Sequence, residues 1–172
     1  VRLAEDLLVL ARMERNRVPV DRKEVSISDL MRQVVPPYGE RARRVGARIE
    51  LDVEPATVLV DPARIRQALE NLLDNALRFT GPGGVITLRS GRTGDVAWIR
   101  VEDTGPGFSQ ALLESVFEPF VRSETEVVGN GSGVGAGLGL AIVRAVAEAH
   151  GGTASAENLP TGGARVTLLL RT

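Results

Sequence analysis

An α+β fold is predicted: a two-layer α/β sandwich with a mixed, mostly antiparallel sheet, backed by three helices and preceded by a short helix. Three observations carry that prediction. Apolar residues recur at helical spacing in some stretches and alternate in others, with Gly and Pro clusters between them. Two strand patterns, Val85 to Ser90 and Val96 to Glu102, face each other across Gly91 to Asp95 as a hairpin. Two more, near Thr153 to Glu157 and Arg165 to Leu170, close the chain across a turn at Pro160 to Gly163.

In chain order, residues 2–15 come first. Leu3, Leu7, Leu10 and Ala11 form a narrow apolar stripe, as on a helix that packs against a partner helix. A connector from Asn16 to Lys23, with Pro19 inside it, breaks that helix. Ser26 and Asp29 resemble a helix start leading to Leu30, Met31, Val34 and Val35. Pro36-Pro37 should kink or interrupt this helix before Tyr38 to Val45. Arg48 to Val53 alternates as a half-buried strand, and Val58 to Val60 is a short second one. Asp61 caps, and Pro62 opens, the strongest helical pattern in the chain, residues 63–79. Gly81 to Gly84 stops it. Asp103 to Gly137 is rich in loop residues, and Leu138 to His150 is a helix ended by Gly151-Gly152.

Composition removes several functions. The 172 residues suit one domain with an appendage, and 43% hydrophobic with 25% charged residues supports a soluble core. Four Phe, one Trp and one Tyr offer few platforms for stacked bases, and a net charge of −1 supplies no basic field. Nucleic-acid binding is therefore not indicated. With no Cys and a single His, zinc sites built on thiolates or several histidines are excluded, as are cysteine nucleophiles and disulfides. Lys23 is the only lysine and no Gly-Lys-Ser/Thr triplet occurs, so there is no Walker A loop. No apolar run is long enough to span a membrane, and there is no signal-peptide pattern. A chain beginning on Val1 reads as an excised fragment, without membrane contact of its own.

Three segments carry chemistry. In the helix over 63–79, Ile65, Leu69, Leu72, Leu73, Ala76 and Phe79 trace one face. At about 100° per residue, Asn71, Asn75 and Arg78 fall together on another. A carboxamide oxygen is a hard, neutral ligand suited to magnesium that shares a substrate's phosphates, and a guanidinium can hold phosphate oxygens. A solvated polar face is the competing reading. Next, Asp103-Thr104-Gly105-Pro106-Gly107 follows a strand directly. The acid can accept from an exocyclic amine while the glycines allow close approach, although a tight turn explains them equally well. Third, the glycine-rich run Gly129 to Leu140 passes straight into an apolar helix, where free amides can bind anions. A flexible linker competes with that reading but seldom feeds so apolar a helix. Gly131, Gly133 and Ala136 also match the loose dinucleotide fingerprint. That motif needs a strand before it, and Arg122 to Asn130 is polar and charged, so it is rejected.

Together and in this order, the segments resemble the ATP-binding catalytic domain of bacterial sensor histidine kinases. NLLDNALRFT (Asn71 to Thr80) is similar to the family's N box, and Asp103 to Gly107 to its first glycine box. Phe117-Glu118-Pro119-Phe120 resembles the F box, and GAGLGL (Gly135 to Leu140) the second glycine box. The resemblance implies a Bergerat-type ATP-binding fold over 19–172. It also implies that residues 1–18 end the second helix of the dimerisation and histidine-phosphotransfer domain. By the same resemblance, Asn75 ligates magnesium, with Asn71 beside it near the phosphates. Arg78 contacts phosphate, and Phe79 lines the nucleotide. Asp103 accepts the adenine amino group, and Gly105 and Gly107 permit the pocket's close approach. Ser109 to about Val134 contains a mobile lid, with Arg122 a γ-phosphate contact. Gly135, Gly137, Leu138 and Gly139 present backbone to the phosphates.

The implied activity is transfer of the ATP γ-phosphoryl group to a histidine on the phosphotransfer helix, then to a response-regulator aspartate. The implied cofactors are ATP and Mg, and the implied place is the cytoplasm, on a parent anchored in the membrane. Two departures stand out. Where related ATPases use a hydroxyl for adenine, the matching position is Ala164, and the phosphoacceptor histidine is missing. His150, in EAHGG at a helix end, is read as structural, where a protonated imidazole suits the helix dipole. Trp98 is core or sheet surface. The Arg41, Arg43, Arg44 and Arg48 cluster is a solvated face or meets an acidic partner. Glu70 lies about 100° from Asn71, away from the metal-facing stripe. Two rivals remain: an ATPase of the gyrase or mismatch-repair type, and a degenerate nucleotide-responsive interaction module. The first uses a glutamate one turn before the magnesium asparagine, where Asn71 stands in this chain.

Overall fold

The computed structural model describes residues 20–121 and 137–171. The helix expected over residues 2–15, with the first half of its connector, lies outside these. The elements are β1 (Lys23–Ser26), α1 (Ile27–Arg44), β2 (Arg48–Val53), β3 (Thr57–Val60) and α2 (Pro62–Phe79). They continue with β4 (Val85–Thr93), β5 (Val96–Asp103), α3 (Gln110–Leu113), α4 (Gly139–Ala149), β6 (Thr153–Asn158) and β7 (Ala164–Arg171).

The main sheet has the order β2-β4-β5-β7-β6, with β1 and β3 forming a separate antiparallel pair. β2 lies parallel to β4, and every other pairing is antiparallel. Alternation along β5 decides its two faces. Ala97, Ile99, Val101 and Asp103 point inward, while Val96, Trp98, Arg100 and Glu102 point outward. Inside, Ile86, Leu88, Ile99 and Leu168 meet Met31, Leu69, Leu72, Leu73 and Ile142 from the helices in one continuous core. The outer face is charged: Arg165 binds Glu102 at 2.7 Å and Glu157 at 3.0 Å, and Arg89 binds Asp52 at 2.7 Å. This is the two-layer α+β sandwich that the sequence predicts, with α1, α2 and α4 on one side.

Several local expectations change. α1 runs through Pro36-Pro37 instead of being interrupted there. The two rings lie on its exposed side, and the missing amides deprive only Arg32 and Gln33, themselves exposed, so water can serve their carbonyls. β1 was not expected: it begins at Lys23, the last residue of the expected connector, and ends at Ser26, read as a helix start. Its backbone is recruited by β3, a tertiary pairing with no local signature. The β4–β5 turn is tighter than expected, because Thr93 pairs with Val96 and leaves only Gly94 and Asp95 between them. Gly91 thereby joins the strand beneath Trp98, where a Cβ would lie 2.5 Å from the indole. Trp98 is on the outer sheet face, with the Arg100 guanidinium 4.5 Å from its ring centroid.

His150 requires a correction. It is fully buried, Nδ1 donates to the Val146 carbonyl at 2.7 Å, and Nε2 accepts the Asp61 amide at 3.0 Å. Burial pushes its pKa below the ordinary value, so the ring is neutral rather than a cation on the helix dipole. Of the arginine cluster, Arg41 binds Asp74 at 2.7 Å above the Tyr38 ring, and Arg48 binds Glu50 at 2.8 Å. Arg43 and Arg44 are exposed. Among the described residues, no helix is long and apolar enough to cross a membrane.

Candidate functional site

α2 is the spine of the site. Asp61 caps it by accepting the Ala63 and Arg64 amides at 3.0 and 3.2 Å, and Pro62 occupies its first turn. Ile65, Ala68, Leu69, Leu72, Leu73 and Ala76 bury its core face. That leaves Asn71, Asn75 and Arg78 to one side: the first buried at 8% exposure, the second half-buried, the third exposed. The Arg78 guanidinium lies 5.9 Å from the Phe79 ring centroid. Glu70 faces elsewhere, and its carbonyl accepts the Tyr38 hydroxyl at 3.4 Å.

At the middle of α2, Asn71 meets the start of α4. A Cβ on Gly139 would stand 3.5 Å from the Asn71 Oδ1. Leu138 is buried at the N-cap position and has no polar side chain to cap α4, so among the described residues no side-chain cap satisfies its first amides. Such a terminus favours anions through both its amides and its dipole. Leading into it, Gly137 has φ 71°, and its carbonyl accepts the Phe120 amide at 2.9 Å. Phe117 packs against the core and Glu118 binds Arg144 of α4 at 2.8 Å, so the Phe117 to Phe120 segment is strapped to α4.

At the end of α2, the chain meets the loop after β5. Asp103, 8% exposed, accepts the Gly105 amide at 2.8 Å. Burial raises its carboxyl pKa above the usual range, while the amides of Gly105 and Ala164 pull it back down. A Cβ on Gly105 would stand 2.7 Å from the Phe79 carbonyl oxygen and 2.8 Å from Asp103 Oδ1, so only glycine fits without displacement. Gly107 has φ 76°, and its Cβ would meet Asn158 Oδ1 at 2.6 Å. Ala164, where a hydroxyl is absent, pairs directly opposite Asp103.

All ten of the sequence-derived site residues that are described lie on these three segments. Arg122 and Gly135 lie outside the described residues. Two supporting residues were not singled out from sequence. Asn158 closes the loop by accepting the Phe108 amide at 2.7 Å and donating to the Phe108 carbonyl at 2.8 Å. Gly163, at φ 98°, packs where a Cβ would strike the Asp103 carbonyl. An Asn ending a strand pattern and the Gly162-Gly163 pair were the available signals. As for a metal, no three His, Cys, Asp or Glu side chains cluster among the described residues. On α2 the carboxamide oxygens of Asn71 and Asn75 are of the hard, neutral type that can serve a cation which shares phosphate oxygens and water.

Residues 60–172 match the family described as histidine kinase-, DNA gyrase B-, and HSP90-like ATPase. A probable sensor histidine kinase from Mycobacterium tuberculosis is 38% identical over 170 residues, covering 99% of this chain and 43% of that protein. Among solved structures, histidine kinase AdeS of Acinetobacter baumannii superposes with a TM-score of 0.82 at 26% identity, covering 99% of this chain and 77% of that one. Full-length ShkA, solved in complex with AMPPNP, superposes with a TM-score of 0.82 at 32% identity, covering 99% and 36%. The chain spans less than half the length of the curated relatives it matches.

Proposed function

Since the chain belongs to the histidine kinase-, DNA gyrase B-, and HSP90-like ATPase family, we propose that it is the ATP-binding catalytic part of a two-component sensor histidine kinase. In this reading, residues 19–172 bind ATP and residues 1–18 end the phosphotransfer helix. The γ-phosphoryl group passes to a histidine on the phosphotransfer domain, then to a response-regulator aspartate. On the family's pattern this takes place in the cytoplasm, in a parent protein anchored in the membrane.

One observation carries the reading. The anion-binding start of α4 meets α2 at Asn71, and the buried carboxylate of Asp103 lies by Phe79, eight residues further along the same helix. That is a separation of roughly 12 Å along the axis, the scale of a nucleotide laid from base to phosphates. Asp103 accepts the adenine amino group, and its desolvation makes an unmatched base costly. Gly105 and Gly107 let the base approach the backbone. Phe79 covers the nucleoside. Asn71, Arg78 and the amides of Gly137, Leu138 and Gly139 hold phosphate oxygens, and the family's pattern adds Arg122 at the γ-phosphate and the backbone of Gly135. Magnesium, held by Asn75, would supply charge neutralisation on the phosphates when bound. The chain's own residues bind, orient and exclude water, which is most of what phosphoryl transfer needs. Asn71 stands where gyrase-type ATPases place a water-activating glutamate, which favours transfer over hydrolysis.

The test is a calorimetric titration with ATP, with and without magnesium, on wild type and Asn75→Ala. Magnesium-dependent binding that the variant loses supports the reading. A folded wild type that binds no ATP sinks it and favours the degenerate interaction module.

A further inference from the structure

His150 is the single histidine of the chain, and phosphoryl transfer as proposed leaves it unused. It ends α4 as the C-cap residue, completely buried. A backbone N–H can only donate, so Nε2 must accept from Asp61 and Nδ1 must carry the proton given to Val146. The His150 carbonyl also accepts the Arg171 amide at 3.2 Å at the end of β7. One residue therefore joins the end of α4, the N-cap of α2 and the last strand.

The two helices run in opposite senses. The end of α4 meets the start of α2 at His150 and Asp61, and the start of α4 meets the middle of α2 at Gly139 and Asn71. Along α2 the two contacts are ten residues apart, roughly 15 Å; along α4 they are eleven apart, roughly 16 Å. Helices are stiff over such a length, so the register at the His150 end sets where Gly139 stands against Asn71.

We infer that His150 is a positioning residue for the nucleotide phosphates: its neutral ring locks α4 against α2 and so places the α4 amides beside Asn71 and Asn75. The inference rests on reading the Asn71–Gly139 contact as the phosphate end of the site. A proton on Nε2 would set two N–H groups against each other, so the protonated ring cannot hold Asp61. The charged groups around the lock are the Asp61 carboxylate and Arg22, which donates to the Ala149 carbonyl at 3.4 Å. Beyond them come Asp21, whose amide donates to Asp61 at 3.1 Å, its partner Lys23, and Glu148 and Arg171.

Two conservative variants separate positioning from bulk stability. His150→Gln keeps an acceptor oxygen at the reach of Nε2, whereas His150→Asn is shorter and can replace only the bond to Val146. Magnesium-AMPPNP is titrated into the whole chain, wild type and both variants, at a temperature where circular dichroism shows all three folded. His150→Gln should bind within about twofold of wild type and His150→Asn about tenfold more weakly. Wild-type affinity should also fall from about pH 7 to about pH 5 more steeply than that of His150→Gln, since ionisation of the nucleotide is common to both. Equal binding by all three proteins, or losses that follow melting temperature in both variants alike, overturns the assignment of His150. Absence of binding by wild type instead overturns the nucleotide site itself.

Discussion

The Phe120 amide donates to the Gly137 carbonyl at 2.9 Å, and both residues hold left-handed backbones, at φ 66° and 71°. Phe120 is the only described non-glycine residue in that region of conformational space, and the residue is 62% exposed. Strain is thus kept where the Phe117 to Phe120 segment meets the start of α4. A Cβ on Gly137 would lie 2.8 Å from the Val121 carbonyl oxygen. Gly137→Ala should therefore destabilise the fold by about 1–3 kcal/mol. Differential scanning calorimetry would show it as a drop of about 2–4 °C per kcal/mol. An unchanged melting temperature would mean that this junction is not held as described.

Asp103→Asn keeps an oxygen for the Gly105 amide, so the fold should survive. It replaces an acceptor-only group with one that can present a donor to the base. ATP affinity should fall by about tenfold or more, as for loss of one hydrogen bond to a charged group. Discrimination between ATP and GTP, read by competition titration, should narrow. Retained discrimination would remove Asp103 from base recognition.

Gly105→Ala tests close approach. The new methyl would crowd both the Phe79 carbonyl and the Asp103 carboxylate, which cannot give way together. Nucleotide binding should be lost, with a stability cost of about 1–3 kcal/mol from overpacking. Chemical denaturation and ATP titration on the same sample separate the two effects.

Stability should depend on pH through two groups of opposite sign. His150 has a folded pKa depressed by burial below the ordinary 6.5. Its contribution is complete above 6.5 and is lost as pH falls through the folded value, because the unfolded chain binds the proton first. Asp103 has a folded pKa raised by burial above the ordinary 3.8. Its contribution is present below 3.8 and disappears as pH rises through the folded value. Between them, denaturation free energy should rise with pH just below 6.5 by at most about 1.4 kcal/mol per pH unit for one proton. His150→Gln should flatten that slope. A slope unchanged in the variant would mean another group titrates there.

Much of the fold was legible because its signals are local. The alternation of β5, the Asp61-Pro62 start of α2 and the Gly151-Gly152 stop of α4 each follow from a few adjacent residues. The errors are equally informative. β1 was missed because Lys23–Ser26 is a strand only when β3 lies beside it. Pro36-Pro37 misled because the effect of a lost amide depends on whether its carbonyl partner faces water. The charge of His150 was misjudged because dipole arguments ignore burial, which prevails here.

The amino-acid order alone determined which residues can carry chemistry: the Asn71, Asn75 and Arg78 spacing on α2, the Asp103 to Gly107 turn and the glycines leading into α4. These are short-range facts, set by residue type and by the rise and twist of a helix. Their assembly was beyond it. That Asn71 meets Gly139, that Gly105 lies under Phe79, and that His150 binds Asp61 across 89 positions depend on packing of a shared core. Such contacts arise from close packing between elements remote along the chain, so no short window of sequence contains them.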